Sequence, residues 1–492
     1  MKRKLTAVIS ALSLCASLAF AGETGTLTES SKSIQTLLEG YLRNDLTLQN
    51  LSAEVGKQIL EKEITEIDNS WSFTLETGTV TITTGESAGI ELNPEVTVTV
   101  PQANNLTLGL ESTVSLAFSD SAETGLEDTS LSLSADIISS TAAERKIALL
   151  KAEREVLELQ RKLQNQFVQA EKDFYSELKD LYSIATEIVK AEKDLYEDQL
   201  DFEQIVAQGY SKTSSKYRTA QMEVLSDQHT VETARHKLER EVRIFASECG
   251  AEYDCEDPMD FLPADIPAVE AVDVLSFDKE DYTEIESAKW TQYINTLTRE
   301  AETEITLTGS AGYTFNNSKT SSDTVDVASS FKWKDTGLGL SAGVSVPVNS
   351  SSAPVYSFGV SFDPLALKKA GLEDQQEELT VKQEELAVQS AEISYDTAVI
   401  SQQSELNDIE WNRSTNAEAL ELYTDLEADT LKWFKQGIVN ESEYKTAAVN
   451  KENYRIQCIV NDIELIIYND ETTLLFCRDQ ELKHEREIEQ KD

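Results

Sequence analysis

The chain has 492 residues, with 43 Lys plus Arg against 89 Asp plus Glu, only three His, and a formal charge of −46. That balance excludes nucleic acid as a partner, because phosphate binding needs cations that release counterions, and three imidazoles leave little for histidine catalysis. A hydrophobic content of 40% supports a buried core, and only 8 Pro and 19 Gly point to long uninterrupted elements.

Lys2, Arg3 and Lys4 precede an apolar run from Leu5 to Leu18, and Ala19-Phe20-Ala21 forms an A-x-A cleavage site before Gly22. The expectation is an exported chain that loses residues 1–21, and with them three basic groups. An uncleaved anchor is the alternative. A lipoprotein cleaved at Cys15 fits less well, since Leu14 is bulky where a small residue is needed. No later run reaches the ~18 apolar residues of a spanning helix. Beyond the leader, Cys249 and Cys255 sit six apart in a loop-like stretch, where an oxidising compartment permits a local disulfide. Their spacing suits neither a zinc knuckle nor a CxxC redox site. The pairing of Cys458 and Cys477 stays open.

A helix is expected near 31–66, with Leu37, Leu38, Tyr41 and Leu42 on one face. From Ile64 to Glu144 there is no Lys or Arg, and Thr, Ser, Val and Leu dominate. Trp71, Phe73 and Leu75, then Val96, Val98 and Val100, then Leu106, Leu108 and Leu110 alternate with polar residues. A period of two marks strands with one apolar face.

From about Thr141 to Val206 the period becomes helical. Phe167, Phe174, Leu181, Ile188, Leu195 and Phe202 fall seven apart, with Val168, Tyr175, Tyr182, Val189 and Tyr196 one position on. Such heptads keep a seam against a partner helix, and two adjacent series imply neighbours on both sides. Gln208-Gly209-Tyr210-Ser211 breaks the rod, and a second helix runs from about Ser214 to Ala246.

After a linker at 248–277 the order restarts. A helix near Asp278–Ala301 leads to strands at Ile305–Phe315, Leu338–Val348 and Tyr356–Phe362. A long helix over Leu365–Phe434 carries Leu379, Leu386, Ile393 and Ile400 at heptad spacing. Gln436-Gly437-Ile438-Val439 breaks it, and a last helix spans Ser442–Phe476 before a charged tail at 478–492. Asp136 matches Asp363, and Tyr217-Arg218-Thr219-Ala220 matches Tyr444-Lys445-Thr446-Ala447, each 227 apart; Gly209 and Gly437 are 228 apart. The chain is therefore an internal duplication, with first repeat 22–247 and second repeat 278–477, and one extra residue expected in the first turn.

Strands with one apolar face in an exported chain suit either an outer-membrane barrel or a soluble β-sandwich or adhesin domain. The duplicated helix–strands–helix–helix unit, with Gln208-Gly209-Tyr210-Ser211 before Arg218-Thr219-Ala220 and Gln436-Gly437-Ile438-Val439 before Lys445-Thr446-Ala447, resembles TolC-type outer membrane efflux proteins. The Ala448, Tyr454, Ile463 and Tyr468 series of the last helix adds to that resemblance, which covers nearly all of the mature chain.

The resemblance implies an α+β membrane protein. Three copies would share a twelve-stranded outer-membrane β-barrel, four strands from each, continuous with a periplasmic α-barrel tunnel of coiled-coil helices. The turns at Gly209, Tyr210 and Ser211 and at Gly437, Ile438 and Val439 would be periplasmic tips that dock an adaptor protein and an inner-membrane pump. The function implied is passive export in a tripartite efflux or type I secretion system, with no cofactor, metal or enzymatic step. An anionic lumen would favour cations. The family's periplasmic gate uses acids six and nine residues after the second tip glycine. Here those positions hold Glu443 and Thr446, with Glu441 nearby as a substitute, and Lys216 takes the matching place in the first repeat. An ordinary solvated acid in a first helical turn is the competing reading of Glu443.

The structural alternative is an exported coiled-coil spacer or adhesin with β domains, but a spacer has no reason to return to strands between matched helical pairs. No G-x-S-x-G, HExxH or P-loop supports an enzyme.

Overall fold

A computed structural model describes residues 33–84, 89–118, 125–316 and 322–476. The leader expected at 1–21 and the charged tail at 478–492 lie outside the described residues, as does Cys477.

The first half runs α1 (Ile34–Asn44), α2 (Leu46–Asp68), β1 (Ser72–Glu76), β2 (Val80–Thr83), β3 (Gly89–Leu92), β4 (Glu95–Val100), β5 (Leu106–Ala117), β6 (Gly125–Ile138), α3 (Thr141–Ala207) and α4 (Ser215–Glu248). The second runs α5 (Thr283–Ala301), β7 (Ile305–Asn316), β8 (Asp323–Trp333), β9 (Leu338–Val348), β10 (Val355–Phe362), α6 (Ala366–Lys435) and α7 (Glu441–Phe476). The fold is α+β and internally duplicated.

The helix expected over 31–66 is two helices. Asp45 leaves helical geometry (φ −66°, ψ 107°), and its Oδ1 accepts from the Thr47 N–H at 2.7 Å. A carboxylate that serves the backbone in this way ends one helix and caps the next.

The described parts of Met1–Ser52, Arg161–Thr283 and Ile393–Asp492 form one compact unit, and those of Ala53–Gln160 and Glu284–Glu392 a second. The first unit is helical. Its core joins Leu37 of α1, Phe174, Leu178, Leu181 and Ile188 of α3, Leu238, Val242 and Phe245 of α4, and Ile456 and Ile463 of α7. Three members of the α3 heptad series thus lie fully inside. Burial of one such side chain is worth roughly 1.5–3 kcal/mol. Ion pairs Lys172–Glu471 (2.9 Å) and Lys179–Glu464 (3.0 Å) join α3 to α7.

The second unit holds the sheet. All its ladders are antiparallel, in the order β1-β4-β5-β6-β7-β8-β9-β10, with β2 on β3 and β3 on β5. Segments β3 and β4 keep one register along β5, from Gly89 opposite Ala117 to Glu95 opposite Glu111, and so act as one strand. Likewise β1 and β2 follow each other along β4 and β3 with a one-residue slip. Gly78 lies in that slip at φ +60°, and a Cβ there would sit 1.7 Å from the Asn93 carbonyl oxygen. Only glycine fits both the dihedral and the space.

The sheet is therefore eight strands wide among the described residues, four from each half, where the resemblance implies four from the whole chain. The difference comes from strands whose alternation is weak in sequence. β8 reads Asp-Thr-Val-Asp-Val-Ala-Ser-Ser, β6 is rich in serine, and β1 to β4 are short pieces. Beside the sheet, Arg154 of α3 makes a buried two-pronged ion pair with Glu286 of α5 under the Trp290 ring. Arg299 of α5 holds Glu384 of α6 at 3.0 Å and, with burial opposing it, keeps that carboxyl below its ordinary range.

Candidate functional site: a two-faced sheet and two tip turns

Pairing carries one apolar row across all eight strands: Phe73, Val98, Leu108, Leu133, Ala311, Val327, Val344 and Tyr356. One residue away, on the opposite face, runs a row of Ser72, Thr99, Thr107, Ser134, Ser310, Ala328, Gly343 and Ser357. The alternation is inherent in the pleat, since successive side chains point to opposite faces. What is specific to this chain is that the same face stays apolar across every strand. That apolar face is not covered: Leu108, Leu133, Val327, Tyr356 and Phe358 are all exposed, Phe358 to 80%. A soluble monomer rarely leaves an apolar patch of this extent open.

The polar face also carries acids. Glu76, Glu95 and Glu111 stand directly opposite one another on β1, β4 and β5, all exposed. Like charges in direct register repel, so this row requires water around it. Lys332 and Asp326 sit on the same polar face as Gly339 and Ser345, their ladder partners.

The two tips are built alike. Gly209 has φ +78° and Gly437 φ +71°. Gly209 N–H donates to Val206 and Tyr210 N–H to Ile205; Gly437 N–H donates to Phe434 and Ile438 N–H to Trp433. These paired bonds close each long helix as a Schellman motif, whose left-handed residue favours glycine. The next helix then starts on a side-chain cap: Ser214 accepts from the Tyr217 N–H at 3.3 Å, and Asn440 from the Glu443 N–H at 2.8 Å. Four residues separate Gly209 from Ser214 and two separate Gly437 from Asn440, so the first turn is longer by two residues, not one. Tyr210 and Ile438 are exposed at the two turns, whereas Ser211 bonds Thr213 through their hydroxyls at 2.8 Å. Val439 is half-buried.

After the second tip, Glu443 is exposed in the first turn of α7. Glu441 pairs with Lys445 at 3.6 Å, and the Lys445 ammonium lies 3.5 Å from the centroid of the Tyr196 ring on α3. Thr446 is half-buried, its hydroxyl 3.5 Å from Glu197. Of the three residues expected at a gate, Glu441 and Thr446 are thus engaged with neighbours, while Glu441 and Glu443 are both exposed carboxylates. In the first repeat Lys216 lies over the Tyr210 ring at 4.9 Å. The Lys445–Tyr196 contact has no signal in sequence, because nothing in the spacing says that α7 begins beside residue 196.

Residues 37–266 match the TP096X N-terminal domain, and residues 267–479 match the TP096X C-terminal domain. The chain carries the TP096X domain pair. No curated protein sequence matches it. In structure it is similar to the outer membrane protein VceC of Vibrio cholerae, at 11% identity and TM-score 0.45, covering 89% of this chain and 95% of that one. It is also similar to the CmeC outer membrane channel of Campylobacter jejuni (10%, TM-score 0.42, 95% and 93%). The MtrE outer membrane channel of Neisseria gonorrhoeae gives 10%, TM-score 0.42, 89% and 88%.

The N-terminal TP096X domain holds the cysteines considered for a disulfide. Cys249 is buried and Cys255 half-buried, and both are free thiols. Burial, then Glu177 and Glu248, pushes the Cys249 thiol up to about 12. In the C-terminal TP096X domain Cys458 is also free and half-buried. Asp470 of that domain is pushed up to about 7 by burial first and the nearby Glu171 second.

Proposed function

We propose that this chain is the outer-membrane channel component of an export system, three copies of which form a continuous duct. The sheet unit would lie in the outer membrane and the helical unit in the periplasm. The observation that carries the reading is the uninterrupted apolar row across eight strands, uncovered, backed on the other face by a row of Ser, Thr, Ala and Gly. Lipid on one side and water on the other satisfy both faces at once. β5 to β9 have 11 to 14 residues each, enough for the ~9–11 residues of a tilted spanning strand. Among the described residues no helix is long and apolar enough to cross a membrane, so the strands are what the bilayer would receive.

The turns at Gly209 and Gly437 are the tips offered to a periplasmic adaptor and an inner-membrane pump, in tripartite efflux or type I secretion. The duct performs no chemistry. Glu443 from each copy would ring the tip as its gate, where three carboxylates repel one another and attract cations. The test is the mass of the mature protein taken from outer-membrane fractions, corrected for detergent. A threefold multiple of the chain that needs detergent to stay in solution is expected. A monomer or dimer soluble without detergent would overturn the reading in favour of a coiled-coil spacer.

A further inference from the structure

Among the described residues the sheet does not close on itself. Its order ends in β1/β2 on one side and β10 on the other, each bonded to a single neighbour. An edge strand presents a row of unpaired backbone groups, which proteins ordinarily blunt with charge, proline or a cover. β10, Val-Tyr-Ser-Phe-Gly-Val-Ser-Phe, has none of these, and Phe358 and Val360 are exposed to 80% and 75%.

We propose that β10 of one copy pairs with the β1/β2 strand of the next, so that each copy gives eight strands to a common barrel wall. Three observations carry this. Eight is even and every ladder is antiparallel, so the outermost strands run in opposite directions. A head-to-tail join then adds one more antiparallel ladder and keeps all copies the same way up. Pairing of β10 with a second β10 would also be antiparallel, but it inverts one copy. Secondly, the apolar row begins at Phe73 and ends at Tyr356, so the join continues the same face. Thirdly, closure of one chain on itself is excluded by its own polar face. With strands ~4.8 Å apart and tilted ~40°, eight strands enclose a radius of about 8 Å, which side chains must fill. Ser, Thr and Gly cannot fill it, and the Glu76–Glu95–Glu111 row would lose its water.

The proposal rests on the membrane reading above and departs from the twelve strands that the family resemblance implies. Three copies give twenty-four strands and a backbone radius of about 24 Å, against about 12 Å for twelve strands. The barrel would then be a wide vestibule that does not limit substrate size, leaving selection to the helical tips.

The experiment uses two differently tagged full-length chains, co-expressed, with Cys249, Cys255, Cys458 and Cys477 changed to Ala. One carries Phe73→Cys or Leu75→Cys, the other Tyr356→Cys, Phe358→Cys or Val360→Cys. After oxidation of outer-membrane fractions, a dimer bearing both tags is expected from at least one pairing. Cross-linking between two Phe358→Cys chains alone, or no cross-link in protein present in those fractions, would overturn the seam. Absence of the unmodified protein from the fractions would overturn the membrane reading itself. Should the cysteine variants fail to fold, polymer exclusion on the unmodified channel decides. Polyethylene glycol of about 15 Å hydrodynamic radius, added at the outer mouth, should enter and lower the conductance. Its exclusion would refute a twenty-four-stranded wall.

Discussion

The two long helices of the duplication carry the same kind of heptad and put it to opposite uses. In α3, Phe174, Leu181 and Ile188 are buried, Phe174 completely. In α6, Leu379, Leu386, Ile393 and Ile400 are exposed, Ile393 to 67%. The halves are offset by 227, and at that offset the exposed residues correspond to Ala152, Leu159, Gln166 and Asp173, while Phe174 corresponds to Ser401. The apolar stripe has therefore moved to another face of the second helix. The ring pair Phe174–Phe245, 5.2 Å apart, becomes Ser401 and Thr472, and Thr472 instead donates to the buried Gln402 at 3.0 Å. A heptad records that a helix has a partner; it does not record whether the partner is in the same chain. One half closes the chain's own core, and the other leaves its stripe exposed, free to meet a second copy in the proposed duct.

The sharpest way to break this contrast is to truncate each stripe. Phe174→Ala should cost about 3–5 kcal/mol, read as a large fall in the urea midpoint of the detergent-solubilised single chain. Ile393→Ala should move that midpoint by no more than about 0.5 kcal/mol, yet lower the temperature at which the assembled oligomer separates on a gel. Equal losses in the single chain would show that the exposed stripe has an intrachain partner.

The contrast extends to the tips. Both glycines adopt the left-handed region, and a Cβ added at either would meet nothing within 4 Å, so the constraint is dihedral and not steric. Gly209→Ala and Gly437→Ala should each cost about 1–2 kcal/mol, and differential thermal unfolding of the two variants would test whether the turns are equivalent despite their different lengths.

How far the sequence carried is visible in these elements. The long helices, their breaks and the duplication were legible because 3.5-residue periodicity over dozens of residues and paired glycines leave strong marks. The strand number was not. β6 and β8 alternate small polar residues with valine, alanine or leucine, and β1 to β4 are fragments joined through pairing that only the folded register reveals. Nor could the site be read in full: the family resemblance points to Glu443 six residues after Gly437, but the engagement of Glu441 with Lys445, and of Thr446 with Glu197, depends on which helix lies alongside. The Glu76–Glu95–Glu111 row is scattered over 36 positions and exists only after the strands align.

A pH-dependent effect follows from Asp470, which lies where the first half has Arg243 at the same offset. Burial raises its carboxyl from 3.8 to about 7 in the folded chain. Between those values the folded state holds the proton more tightly than the unfolded state, so stability falls as the pH rises from about 4 to 7. Glu177, raised by burial and by Glu248, acts in the same direction. Asp470→Asn should flatten the dependence of the urea midpoint on pH over this window and raise the midpoint at pH 8. An unchanged slope would mean that the carboxyl is solvated.

The smallest effects belong to the electrostatics of the proposed channel, and they separate the two acidic sites. Glu443→Gln should weaken block by divalent cations at the tip by a few-fold and leave single-channel conductance nearly unchanged at high salt, where exposed charges are screened. Lys216→Gln, at the matching place in the first repeat, should leave the block as it is. Replacing Glu76, Glu95 and Glu111 together by Gln should instead reduce cation over anion permeability without touching the block, since in the wide vestibule proposed above these carboxylates would bias ion concentration but bind nothing tightly. Loss of divalent block in the sheet variant, with none in Glu443→Gln, would move the narrowest point from the tips to the barrel and reverse the assignment of vestibule and gate.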